Sequence, residues 1–257
     1  MTKIALLDSD IIAYRAAVLT EDVTEAMAIE LADRITDTWV DGAGCDGYVA
    51  CLSIGSSFRR NAWPLYKSNR KDKVRPQHLS AVINHLKAGN ACWHPGLEAD
   101  DVMGILATHP DSLDELCIVT IDKDLDQVPG LHHNPDKETR YTVSPDDGHL
   151  YKWRQVLSGD PTDFYPGIPG IGVKKAAAIL DEVCEGDRED VVKEMYNTKE
   201  LEPAYYQQMV VCATILTYKE TITCDLLSLG LTEAGTLLEF LASIKSYAGQ
   251  KKVDTSV

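Results

Sequence analysis

An α/β fold, with a mainly parallel central sheet flanked by helices and then a C-terminal helical lobe, is what this 257-residue sequence predicts. Three features carry the prediction. Short apolar runs alternate with stretches of helical periodicity, the pattern of a parallel sheet with crossover helices. Two of the runs, KIALLD and ELCIVTIDKD, close on carboxylates, which puts acids at the carboxyl edge of such a sheet, where ligands bind. After about Ser158 the texture changes to a Gly/Pro turn cluster feeding helices only.

Taken in order, KIALLD is a short β-like run ending on Asp8, and IIAYRAAVL reads as a helix. GYVACLSIG, residues 47–55, is a second buried strand. The basic stretch that follows contains WPLYKSNRK, whose Pro and Asn make it irregular. QHLSAVINHLKAG has helical spacing and stops at Gly89. ACWHP is a brief strand, LEADDVMGILATH a helix, and ELCIVTIDKD a third apolar run ending in acids. His132 and His133 fall in a polar loop. Past GDPTDFYPGIPGIGVKKAAAIL, the clearest helices are DREDVVKEMYN, AYYQQMVVCATILTY and TEAGTLLEFLASI. The change of texture divides the chain into a core, 1–155, and a helical lobe, 156–257.

Hydrophobic residues make up 44% and charged residues 25%, which sets the chain among globular proteins and apart from disordered ones. The first apolar run is broken by Asp8, too short for a signal peptide, and no run of about 18 apolar residues occurs. The cytoplasm is therefore the expected compartment, without a membrane partner. Seven scattered cysteines without a C-x-x-C pair read as reduced thiols, and neither they nor the seven histidines have zinc-ligand spacing. A net charge of −15 argues against nonspecific binding to polyanions. Yet one segment carries Arg59, Arg60, Lys67, Arg70, Lys71, Lys73 and Arg75 against a single acid, Asp72. Alone, such a run is a solvated face.

Four acidic clusters stand out: Asp8 with Asp10; Glu98, Asp100 and Asp101; Asp122, Asp124 and Asp126; Asp160 with Asp163. Singly, each is explained by caps, turns or surface charge. The third begins like a calcium loop but has Gln127 where a glycine is needed and His133 where a bidentate Glu belongs. Glu98 with Asp101, and Asp160 with Asp163, are i,i+3 pairs that share a helical face. Carboxylate-only sets select hard cations such as Mg²⁺ or Mn²⁺. Two such ions about 4 Å apart activate water and stabilise the leaving oxygen of a phosphodiester. The LEADD crowding, more acid than a helix start can use, is then offset by metal charge.

PGIPGIGVKK supplies a second signal. Gly167, Gly170 and Gly172 permit positive φ and close backbone approach before a helix beginning near Val173. Lys174 and Lys175 oppose the helix dipole at that end, unless a phosphate lies there. A tight connection between two helices is the plainer reading of the glycines alone.

LLDSDIIAYR, FRR…YKSNRK, LEADDVMG, TIDKDLDQVP and GDPTDFYPGIPGIGVKKA, in this order, resemble the motifs of the flap endonuclease superfamily of structure-specific 5′-nucleases. The spelling is closest to the 5′→3′ exonucleases of short-tailed bacteriophages, over residues 4–180. The resemblance implies a PIN-like 5′-nuclease core with a basic, arch-like segment at 58–90 and a lobe carrying a helix–two-turn–helix motif. It implies metal-dependent 5′→3′ hydrolysis of duplex, nicked or flapped DNA, and of RNA in hybrids, by a monomer. Asp8, Glu98 and Asp100 would serve a first metal; Asp101, Asp122, Asp124, Asp160 and Asp163 would serve a second, directly or through water. Lys67 and Arg70 match the basic pair at the scissile phosphate. Tyr14 and Arg15 match an aromatic-basic pair near the substrate end, and Arg59 belongs to the DNA-binding set. Gly167, Gly170, Gly172, Lys174 and Lys175 would grip the duplex backbone, with K⁺ at the turn. A phage origin would place the protein in the cytoplasm of an infected bacterium.

One departure stands within this pattern. The family places an Asp after the second strand, shortly before the F-R element; CLSIGSSFRR has none, and Leu52 or Ser53 occupies the place. Either water or the Ser53 hydroxyl completes the first metal's shell, or Asp10 or another acid substitutes. Two other functions compete: a noncatalytic DNA-binding replication-accessory protein that keeps the fold, and a PIN-like ribonuclease, against which the helix–two-turn–helix segment speaks.

Overall fold

The computed structural model describes residues 2–110 and 115–219. Among them, one sheet is built from β1 (Lys3–Asp8), β2 (Gly47–Cys51), β3 (Ala91–Cys92), β4 (Glu115–Val119), β5 (Gly130–Asn134) and β6 (Thr139–Val143). The order is β3-β2-β1-β4-β5-β6, parallel throughout except for the antiparallel β5–β6 pair. This is the expected mainly parallel sheet, and β1 lies at its centre.

Side-chain alternation explains how short strands hold two faces. In β1, Leu6 joins the core on one face while Ala5 and Leu7 join the other. β4 repeats the pattern, Ile118 opposing Cys117 and Val119. One face is covered by α1 (Ser9–Leu19), α2 (Glu25–Gly42) and α4 (Leu79–Ala88). The other is covered by α5 (Ala99–Ala107) and by Ile215 and Leu216. α5 and the 215–216 backbone touch at Gly104, where a Cβ would stand 2.4 Å from Leu216 O.

Helix boundaries follow local chemistry. Thr24 caps α2 by accepting from Met27 N, and Ser144 caps α6 (Pro145–Ser158), which begins on a proline. Gly159, at φ 67°, ends α6. The helical lobe then comprises α7 (Val173–Leu180), α8 (Arg188–Thr198) and α9 (Pro203–Ala213), packed on α6 through Val156, Leu157, Leu180, Val192, Tyr196 and Met209. Position 155 falls inside α6, and Trp153 already packs in this lobe.

The short α3 (Arg59–Ala62) opens the basic segment, which continues through turns and a 3₁₀ turn, Ser68–Arg70, to α4. Tyr66 is buried against the helical lobe, while Leu79, Val82 and Leu86 of α4 pack under the sheet. The segment thus joins the two cores. His132 and His133 depart from expectation: they lie in β5, only 1% and 4% exposed, His132 stacked on Tyr141 and His133 against Gly42 of α2. The TEAGTLLEFLASI helix lies outside the described residues. Among the described residues, no helix is long and apolar enough to cross a membrane.

Candidate active site at the carboxyl edge of the sheet

β1 delivers Asp8 to the carboxyl edge, where Thr120, just past β4, donates its hydroxyl to Asp8 Oδ2 at 2.8 Å. The chain turns there: Asp122 N donates to Thr120 Oγ1, and Asp124 N donates to Asp122 Oδ1, both at 2.9 Å. Asp122 and Asp124 are thereby fixed on one tight turn. The start of α5 brings Glu98, Asp100 and Asp101 to the same edge, and the tip before Tyr165 adds Asp160 and Asp163.

The protein's own cations divide these acids into two groups. Arg59 enters the interior, 2% exposed, and reaches both oxygens of Asp101 at 2.7 Å and Glu98 Oε2 at 2.9 Å. Asp101 also accepts from Glu98 N and Leu216 N, each at 3.1 Å. Lys67 pairs with Glu98 and lies 3.4 Å from Asp163 Oδ2, while Arg70 donates to Asp163 Oδ1 at 2.7 Å. The Tyr66 hydroxyl stands between them, 2.9 Å from Glu98 Oε2 and 2.8 Å from Asp163 Oδ2, placed to donate to either. Burial alone would raise the Glu98 pKa; Lys67 and Arg59 outweigh it and hold the group down at about 2.

Among the described residues, Asp8, Asp10, Asp100 and Asp124 have no such ion-pair partners. Burial first, then the charge of Asp10, pushes Asp8 up to about 7. Burial and Asp8 push Asp100 well above the carboxylate range. Asp124, held by Gln155 Nε2 at 2.8 Å and Tyr151 OH at 3.3 Å, rises to about 7 through burial and the charges of Asp122 and Asp160. Crowded like charges in a dry setting are what a divalent cation relieves. Among the described residues, however, no three His, Cys, Asp or Glu side chains form a ready-made cage for an ion. The fit is one of donor chemistry: all-oxygen, carboxylate-only and short of positive charge.

Asp10 lies beside Ser53, one of the two positions where the sequence pattern expects an acid. Its two carboxylate oxygens accept from Ser53 N at 3.2 and 3.3 Å, and Ser53 Oγ accepts from Ala99 N at 2.8 Å. Ser53 is thus occupied in capping α5, and a carboxylate from α1 lies against its backbone.

Three placements correct the sequence expectations. Arg59, assigned to DNA, is inside the protein and committed to Asp101 and Glu98, so it offers no surface. Asp101, assigned to metal, is 0% exposed with both oxygens taken by Arg59. Gly167 is buried for packing: a Cβ there would lie 2.3 Å from Gly159 N, so these two glycines let backbones touch. Gly170, at φ 81°, and Gly172 are exposed with open space before them, and Lys174 is exposed beside them. Lys175 Nζ caps Gly170 O at 2.8 Å. Tyr14 is 52% exposed, whereas Arg15 is paired to Asp136 through two 2.8 Å bonds. Asp126 turns away to Tyr141. Thr120, Tyr151 and Gln155 complete the site without any sequence signal, and Tyr66 joins them from the YKSNR stretch.

Fold and site define a class: an α/β protein with an acidic cluster beyond the carboxyl edge of a parallel sheet, closed by a basic segment and a glycine turn. Residues 3–135 match the family model described as 5′-3′ exonuclease, N-terminal resolvase-like domain, and the chain belongs to that family. It is 28% identical over 224 residues to a thermostable DNA polymerase I of Thermus caldophilus, covering 77% of this chain and 26% of that protein. An exodeoxyribonuclease of Enterobacteria phage T3 is 31% identical over 141 residues, 51% of this chain and 45% of the relative. A 5′-3′ exonuclease of Mycobacterium tuberculosis is 31% identical over 169 residues, 51% and 52% of the two chains. The chain thus spans about a quarter of the polymerase and about half of the exonucleases. In fold it is similar to the T5 5′-exonuclease bound to divalent metal ions (zinc), with TM-score 0.72, 15% identity and coverage of 96% and 99%. A bacteriophage T5 flap endonuclease pseudo-enzyme-product complex with DNA and metal ions gives TM-score 0.70 at 15% identity, covering 96% and 100%.

Proposed function

We infer that this chain is a divalent-metal-dependent 5′→3′ exonuclease and flap endonuclease that hydrolyses DNA phosphodiesters at duplex, nicked or flapped 5′ ends, and RNA in hybrids. The observation that carries the reading is the division of the acidic cluster: carboxylates short of counter-charge lie beside Lys67 and Arg70. Asp8, Asp10, Asp100 and Asp122 would hold one Mg²⁺ or Mn²⁺ ion, Asp122, Asp124 and Asp160 a second, and Glu98 and Asp163 would join them as Lys67 and Arg70 turn to the phosphate. Bound there, such ions supply Lewis-acid activation of water and charge stabilisation at a phosphodiester.

The remaining residues bind and orient. Lys67 and Arg70 receive the phosphate, their charges already gathered at Asp163 and Glu98. Arg59 with Asp101 fixes the start of α5, and so the direction of Glu98 and Asp100. Gln155 and Tyr151 aim Asp124. Gly170, Gly172 and Lys174 offer open backbone and positive charge to a duplex strand, with K⁺ at the turn. The protein acts as a monomer in the cytoplasm, that of an infected bacterium if it is phage-encoded.

A second reading, a DNA-binding protein without catalysis, draws on the ion pairs that already satisfy Glu98, Asp101 and Asp163. A duplex labelled at its 5′ end separates the two. Release of labelled nucleotides or short oligonucleotides in Mg²⁺ is expected. Label unchanged in both Mg²⁺ and Mn²⁺, with DNA still bound, overturns the nuclease reading.

A further inference from the structure

Residues 160–165 form a tight reversal. Asp160 and Tyr165 exchange both backbone hydrogen bonds, at 2.9 and 3.2 Å, and Asp160 Oδ1 accepts from Thr162 N. The reversal closes on Phe164 at φ 60°. Glycine and asparagine take that left-handed position readily; for a bulky side chain it is a strained outlier. Packing does not offset the strain, because the ring is 46% exposed.

Its peptide is held from the basic segment instead. Trp63 Nε1 donates to Phe164 O at 3.0 Å. Lys67 N donates to Asp163 O at 2.8 Å, and Lys67 is itself left-handed, at φ 52°. Two strained non-glycine residues are therefore tied across two segments at Asp163, whose carboxylate has Arg70, Lys67 and Tyr66 as partners. The result is an exposed aromatic side chain on a held backbone, next in sequence to the Asp163 that Lys67 and Arg70 pair. Strain held at such a point leads from the outlier to a function.

We propose that Phe164 is a stacking platform for an unpaired nucleobase, positioning the nucleic-acid strand whose phosphate lies at Lys67 and Arg70. This rests on the nuclease reading and adds a substrate-sorting residue to it. Every base offers a π-face, so the contact is tolerant of sequence. An unpaired base reaches the ring without giving up a base pair, so frayed, mismatched or flapped ends gain more than fully paired ones.

The test compares two duplexes that differ only in whether the 5′-terminal nucleotides are paired or mismatched. Binding is measured by fluorescence anisotropy in EDTA at low salt. Base–aromatic stacking corresponds to roughly 5- to 140-fold in Kd. Phe164→Asn, which suits a left-handed backbone, is expected to raise the melting temperature while weakening mismatched-end binding by about 5-fold or more. Paired-end binding should stay within about 2-fold, and Phe164→Trp should keep both. With 2-aminopurine at the 5′ terminus, the fluorescence change on binding should persist in Phe164→Trp and vanish in Phe164→Asn. An Asn variant that binds both duplexes as the unmodified protein does, or weakens both equally, overturns the proposal. Failure of the nuclease reading shows separately, as absence of cleavage by the unmodified protein in Mg²⁺ and Mn²⁺ while the mismatch contrast in EDTA is still read.

Discussion

Replacing Arg59 with Met separates a buried structural cation from a DNA contact. The side chain sits between Asp101, 0% exposed, and Glu98, 9% exposed, so bulk solvent screens the pair little. Removing it leaves Asp101 with an uncompensated charge held only by two backbone N–H groups, while Glu98 keeps Lys67. Breaking a buried pair from one side costs about 3–5 kcal/mol. Against a total stability of about 5–15 kcal/mol, that is a large fraction, and it corresponds to a fall in Tm of roughly 6–20 °C for a chain of this size. Arg59→Met with Asp101→Leu removes both charges, so the double variant should recover a large part of the loss. Urea unfolding followed by circular dichroism in EDTA gives the stability, and DNA anisotropy on the folded protein gives the affinity. An Arg59→Met protein within about 1 kcal/mol of the unmodified one, but with weaker DNA binding and a smaller salt slope, would refute the structural role and restore Arg59 to the DNA surface.

Lys174→Ala with Lys175→Ala should weaken binding to every DNA sequence and reduce the slope of log K against log salt by about 1–2; an unchanged slope makes the turn purely structural. Asp10→Asn should weaken Mg²⁺ binding, measured by titration calorimetry, by about 10-fold or more. Ser53→Asp added to it should recover part of that affinity, and Mn²⁺ should tolerate the loss better than Mg²⁺. Equal metal affinity in all of these variants would remove Asp10 from the site. Gly104→Ala, although it improves helix propensity by about 1 kcal/mol, should lower the melting temperature, because the new Cβ meets Leu216 O at 2.4 Å; a rise would show that the 215–216 backbone gives way.

The parallel core was legible because buried strands and crossover helices leave strong one-dimensional signals. KIALLD and ELCIVTIDKD became β1 and β4, and the helix ending at Gly89 became α4. What was missed has a weaker signature. α2 has a full capping start at Thr24 yet few buried positions, Ala28, Ala32, Thr36 and Trp39, on a mostly charged surface. β5 carries two histidines that read as polar but are covered on the sheet's faces, one by Tyr141 and one by Gly42 of α2. β6 exposes four of its five residues, so no alternation marks it. Ser144-Pro145 does announce α6, but the nearby change in texture drew the boundary to 155, inside that helix.

The site was legible as a list of acids and bases, but spacing along a chain does not say which charges cancel. Arg59 and Lys67 sit in one basic run, yet the first is consumed in the interior and the second stands at the cluster. The cause is tertiary: Arg59 opens α3 directly beneath α5, and the residues from Thr214 to Leu216 close over it, Thr214 O accepting from Arg59 Nη2. The same holds for the absent acid after β2. Parallel pairing sets Asp8 opposite Cys51, so the residues just beyond them, Asp10 on α1 and Ser53 on the loop, are brought face to face from 43 positions apart. Sheet register therefore allows either strand to furnish a carboxylate at that point. With Ser53 engaged by Ala99 N, the carboxylate that stands beside it comes from β1's side, two residues past Asp8, in Asp10.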